Sequence, residues 1–250
     1  MDAMPTEAGQ SLLNTFDRVR IINLKHRSDR RREIESELTR FGLAVDGEAI
    51  AFHEACRPES AGSFPSVGAR GCFLSHLGVL EEALAAGTQH LLILEDDLDF
   101  STDAEVRLPL TLARLSQTNW AIFYGGHEQY PGPLDGELLV KADRNGRIRT
   151  THFIALTRPA IEATVPYLRR MLSREPGDPA GGPMHVDGAY SWFRESRPDL
   201  ETWLAVPVLG DQRPSRTDIA QPGLLDRLPL LSALVSQIRR AKRSWSRSVR

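Results

Sequence analysis

With 250 residues, 41% of them hydrophobic and 26% charged, the chain has the size and balance of one soluble α/β domain, with room for a tail. Two cysteines, Cys56 and Cys72, exclude a disulfide framework and a CxxC metal pair; both read as reduced and partly buried, as in a cytosolic protein. No apolar run approaches the roughly 18–20 residues of a membrane-spanning helix.

Residues 1–17 are acidic and lack an apolar core, so they read as a flexible leader rather than a secretory signal. Residues 18–24 have strand character centred on Ile21 and Ile22. A charged helix follows over 29–41, with Ile34, Leu38 and Phe41 at i, i+4 and i+7 and Gly42 as its stop. Residues 49–54 suggest a second strand, and the Gly/Pro/Ser-rich 58–71 a loop. Over 72–86 Phe73, Leu77, Leu80 and Leu84 form one helical stripe ended by Gly87. A strand over 90–94 comes next, then a helix over 104–115 and a strand over 120–124 closed by Gly125-Gly126. Residues 127–150 are turn-rich, with a hairpin signal at Asn145-Gly146. The rest reads as strand 152–156, helix 161–172, loop 176–183, segment 186–194 and strand 203–208. This alternation predicts an α/β sheet.

The stretch richest in chemistry is Leu91-Leu92-Ile93-Leu94-Glu95-Asp96-Asp97, with Asp99 two positions on. Carboxylates at the end of a buried strand sit where open α/β sheets bind ligands. Like charges this close cost free energy unless a cation or hydrogen bonds offset them. A hard divalent ion carrying a substrate phosphate does so; a solvated acidic turn is the plain alternative. On strand geometry Glu95 and Asp97 face one way and Asp96 the other, so Glu95 and Asp97 are the natural metal pair, with Asp97 the direct ligand. Asp99 and Asp103 read as caps of the next helix.

Four ordered segments together resemble glycosyltransferase family 25, which includes bacterial lipopolysaccharide galactosyltransferases and collagen galactosyltransferase domains. They are IINLKHRSDRRREI at 21–34, VGARGCFLSHLGVLEEAL at 67–84, LLILEDD at 91–97, and HVDGAYSWF at 185–193 with VPVLGDQRPSRTDI at 206–219. The last departs from the family's pattern by two residues between Ser215 and Asp218.

The resemblance implies a GT-A type fold over 18–222, a nucleotide-sugar-binding mixed and mostly parallel sheet flanked by helices. It implies transfer of a hexose, galactose or glucose, from a UDP-sugar to a hydroxyl of a glycan or lipid-linked acceptor, with inversion. The implied cofactor is Mn²⁺ or Mg²⁺, held by Asp97 and Glu95 as a Lewis acid on the departing pyrophosphate. Asn23 and Leu24 close the first strand on the donor side. Arg27 and Arg30 are the two arginines at the family's spacing and suit donor phosphate or base, whereas Arg31 and Arg32 read as a solvated face. Ser75 and His76, opening the helix before the acidic strand, join the donor set with Glu95, Asp96, Gln212 and Asp218. His76 equally fits a buried, satisfied histidine. Asp187 is the candidate general base for the acceptor hydroxyl, with an N-cap of the helix near Gly188 as its alternative. A catalytically silent sugar-nucleotide or glycan-binding protein of the same fold is the other functional reading.

The net charge of −2 is uneven. From Gly223 onward seven basic residues face Asp226 alone, a local +6, which leaves −8 on 1–222. With Leu225, Leu228, Leu231, Leu234, Val235 and Ile238, residues 223–250 fit a basic amphipathic helix on the inner, anionic face of a membrane. Packing on the body or an oligomer contact also fits, and no nucleic-acid partner is expected.

Overall fold

The computed structural model describes residues 4–128 and 137–213. The chain divides into two units, residues 1–212 and residues 213–250. Asp218, the 223–250 segment and the expected boundary at 222 lie outside the described residues.

The first unit begins with α1 (Glu7–Thr15), then β1 (Arg18–Asn23), α2 (Ser28–Thr39), β2 (Ile50–Glu54) and α3 (Val67–Ala85). It continues through β3 (His90–Glu95), β4 (Leu98–Phe100), α4 (Ala104–Leu115), β5 (Trp120–Tyr124), β6 (Leu139–Lys141) and β7 (Phe153–Thr157). Last come α5 (Arg158–Leu172), α6 (Val186–Ser196), β8 (Glu201–Ala205) and β9 (Gly210–Gln212). Seven strands form one sheet in the order β2-β1-β3-β7-β5-β8-β6. The pairs β1–β2, β1–β3 and β5–β8 are parallel, and β3–β7, β5–β7 and β6–β8 antiparallel. Only β7 and β6 therefore run against the other five strands. The sheet is mixed, as expected.

Side-chain alternation along β3 builds a core on each face. Leu91 and Ile93 join Phe73, Leu80, Ile161, Leu168 and Phe193, the side carrying α3, α5 and α6. Leu92 and Leu94 join Leu12, Ile34, Leu38, Leu108 and Leu112, the side carrying α1, α2 and α4. The result is a sheet between two helical layers.

Three expectations change. The leader holds α1, capped by Thr6, whose hydroxyl accepts from Gly9 N at 3.2 Å; its Ala8 and Leu12 are buried in the core. The loop before α3 is shorter than predicted because Ser66 caps the helix, its Oγ accepting from Ala69 N at 3.0 Å. The sequence had suggested caps at Asp99 and Asp103, and neither acts as one. Asp99 lies in β4, which pairs antiparallel with β9 as a separate two-stranded sheet. Asp103 holds the N-cap position of α4 but makes no side-chain cap hydrogen bond; its carboxylate pairs with Arg107 at 2.7 Å, which holds its carboxyl below the usual range.

Candidate active site

Strands β1 and β3 run side by side with Ile22 opposite Glu95, and Asp96 N donates to Ile22 O at 3.2 Å. The two strands therefore deliver Asn23 and the acidic triplet to the same end of the sheet. The triplet is not a solvated turn: Asp96 is 6% and Asp97 4% exposed.

Each carboxylate has its own partners. Asp96 is held on both oxygens, by Arg30 Nη1 at 2.9 Å and Asn23 Nδ2 at 2.8 Å. Asp97 Oδ2 receives Gln212 Nε2 at 3.1 Å and Arg30 Nη1 at 3.4 Å, while its buried Oδ1 has no hydrogen-bond partner among the described residues. Burial pushes the Asp97 carboxyl up to about 7, Glu95 and Asp96 reinforce this, and Arg30 and Gln212 oppose it. Glu95 Oε1 accepts from Thr151 Oγ1 at 2.7 Å and lies 3.4 Å from His76 Nε2. Burial works to raise the Glu95 carboxyl, but His76 and Thr151 hold it below its ordinary value.

His76 is fully buried, and its Nδ1 lies 3.3 Å from Tyr190 Oη on α6. Cys72, one turn earlier on α3, completes a cluster: among the described residues, Cys72, His76 and Glu95 form the one group of three potential metal ligands, their donor atoms within 4.8 Å of one another. Burial pushes the Cys72 thiol well up, and Glu95, Asp97 and Asp187 push it further.

Other predicted residues fall differently. Leu24 contributes its carbonyl, which accepts from Arg27 N at 2.8 Å. Arg27 pairs with Asp29 at 2.8 Å rather than with the triplet. Ser75 Oγ donates to Gly71 O at 2.7 Å and accepts from Cys56 N at 2.8 Å, tying α3 to the segment after β2 instead of facing the carboxylates. Asp187 is not the N-cap of α6. His185 takes that position, exposed, and Asp187 sits half-buried in the first turn with Oδ1 accepting from Gly188 N at 2.7 Å. A carboxylate suits that end of a helix.

Four residues of the site were not anticipated: Arg31, Cys72, Thr151 and Tyr190. Arg31, assigned to a solvated face, donates to Asn23 Oδ1 at 3.2 Å and stacks over Phe52 at 4.2 Å. Cys72 had a legible signal, since Cys72 and His76 stand at i, i+4 on one helix face. Thr151 follows Thr150, whose φ of 69° is left-handed and rare for a β-branched residue; no sequence pattern marks such a kink.

Residues 16–130 match the family model described as glycosyltransferase family 25 (LPS biosynthesis protein). That stretch is similar to family 25. It contains α2, α3, β3 and the triplet's side-chain partners described above except Thr151 and Gln212, and stops short of Tyr190 and Asp187. Procollagen galactosyltransferase 1 of Danio rerio is 33% identical over 135 residues, 46% of this chain and 22% of that protein. Inactive glycosyltransferase 25 family member 3 of Homo sapiens is 28% identical over 132 residues, again 46% and 22%. The chain thus spans about a fifth of the length of these relatives. Among solved structures, a glycosyltransferase involved in glycosylation of the major capsid of PBCV-1 superposes with a TM-score of 0.49 at 12% identity, over 80% of this chain and 94% of that one.

Proposed function

We propose that this chain is a family 25 hexosyltransferase of GT-A type, moving galactose or glucose from a UDP-sugar to a hydroxyl of a glycan or lipid-linked acceptor with inversion. The observation that carries this reading is the buried Asp97, whose Oδ1 has no hydrogen-bond partner among the described residues, beside Asp96 with both oxygens held. A buried carboxylate oxygen left open at the carboxyl end of a central strand fits a divalent ion with a phosphate beyond it. Mn²⁺ or Mg²⁺ would be held by Asp97 through Oδ1, with Glu95 as the second ligand, and when bound supplies Lewis-acid stabilisation of the leaving pyrophosphate.

The protein's own groups do the rest. Arg30 binds Asp96 and Asp97 with one nitrogen, fixing their separation. Asn23 and Arg31 extend that frame toward the end of β1. Asp187 takes the acceptor proton as the hydroxyl attacks. Residues 223–250 would hold the enzyme at the inner face of a membrane carrying the acceptor.

Assay of UDP-galactose and UDP-glucose with Mn²⁺ tests the reading. Transfer or donor hydrolysis is expected in the parent, lost in Asp97→Ala and kept in Asp103→Ala, and the anomer of the product reports inversion. Absence of binding and turnover with every nucleotide sugar would overturn it. The inactive human relative motivates a second reading, a silent binding protein of the same fold; donor binding by calorimetry without turnover across acceptors would favour it.

A further inference from the structure

We propose that Cys72, His76 and Glu95 form a binding site for a borderline-soft transition-metal ion, Zn²⁺ foremost, with Tyr190 and Thr151 orienting two of the three ligands. This is a second ion position, sharing only Glu95 with the Asp97 position of the reading above, and it does not depend on sugar transfer.

The first support is distance. His76 Nε2 and Glu95 Oε1 are 3.4 Å apart, long for a hydrogen bond, whose usual range is about 2.7–3.2 Å. It matches the edge of a tetrahedral zinc site: bonds of about 2.05 Å to nitrogen and oxygen put those two atoms about 3.3 Å apart. All three donor atoms lie within 4.8 Å of one another. The longer zinc–sulfur bond of about 2.3 Å would set the edges to Cys72 at about 3.6 Å, inside that limit.

A second support is the surrounding shell. Metal-bound histidines and carboxylates are held by outer partners, and both are in place: Tyr190 Oη at 3.3 Å from His76 Nδ1, and Thr151 Oγ1 at 2.7 Å from Glu95 Oε1. Without an ion, a proton on His76 Nε2 would face Glu95 and leave Nδ1 to accept from Tyr190 Oη. With one, Nε2 ligates, the proton sits on Nδ1 and donates to Tyr190 Oη, and the Cys72 thiol releases one proton to solvent.

Charge is the third. Thiolate, carboxylate and dication sum to zero, which suits a buried position that already crowds Glu95 and Asp97. Thiolate with imidazole selects zinc or cobalt over Mg²⁺. Three protein ligands leave a fourth position open, the arrangement of catalytic rather than structural zinc.

Cobalt titration of the chelator-stripped full chain tests this. One equivalent of Co²⁺ should produce a near-ultraviolet thiolate-to-cobalt charge-transfer band and the visible bands of tetrahedral coordination. Zn²⁺ should bleach both, and excess Mg²⁺ should not. The charge-transfer band should vanish in Cys72→Ser and persist in Cys56→Ser, where Cys72 is the sole thiol. Tyr190→Phe should keep the band and weaken binding roughly 10- to 100-fold. A parent without the band, a band that survives Cys72→Ser in a folded protein, or loss of it in folded Cys56→Ser overturns the inference. If Cys72→Ser does not fold, the parent and Cys56→Ser decide alone. Turnover without the band would refute this site and leave the transferase standing; the band without turnover would do the reverse.

Discussion

The two oxygens of Asp97 live in different worlds: Oδ2 meets an amide and a guanidinium, and Oδ1 has no hydrogen-bond partner among the described residues. The carboxyl's ordinary value of 3.8 rises to about 7 in the fold. An unfolded chain would ionise it near 3.8, whereas the folded chain keeps the proton until about 7. Between those values the native state binds more protons, so stability falls as pH rises and levels off above 7. Each pH unit of the window is worth about 1.4 kcal/mol. In the metal-free protein, Asp97→Asn should therefore gain on the parent as pH goes from 4 to 8, read as diverging urea midpoints. Parallel midpoints would contradict it. At this scale the sequence was informative about charge and poor about partners. The triplet, Asn23, Arg30 and Gln212 were legible because their residue types and order carry the resemblance. Arg31 was not, because a run of arginines looks uniform until a helix turns one of them back toward β1.

Elements show the same division. Long apolar periods made α4 and β5 readable to the residue, since a stripe of leucines and a run such as WAIFY admit few alternatives. Strands β4 and β9 have three residues each and pair across more than a hundred positions, beyond the reach of any period. Helix α1 escaped for a different reason: nine residues with polar neighbours are marginal as an isolated helix, and docking stabilises them. Its Leu12 is 1% exposed within the core shared with α4. Leu12→Ala should then cost about 2–5 kcal/mol in chemical denaturation, whereas a loose leader would cost nothing.

Across the whole molecule, the family match and the folding unit differ in extent. Residues 16–130 hold β1, β2, β3 and β5 but not β7, which lies between β3 and β5. Cut at 130, β5 loses both neighbours and β3 loses one edge, exposing apolar strand faces. Residues 1–130 expressed alone should lack a cooperative unfolding transition and aggregate; a two-state fragment would show that the sheet closes some other way. The α/β class was legible from alternating periods, but the insertion of β7 against the direction of its neighbours was not, since single strands carry no mark of direction.

One amide spans the longest gap in the site. Gln212, at the end of β9, reaches Asp97 across 115 positions. A ribosome releases the acidic triplet 115 positions before the residue that completes its setting. While that stretch is made the carboxylates stand without that partner, so the nascent chain cannot hold a finished centre until β9 has emerged.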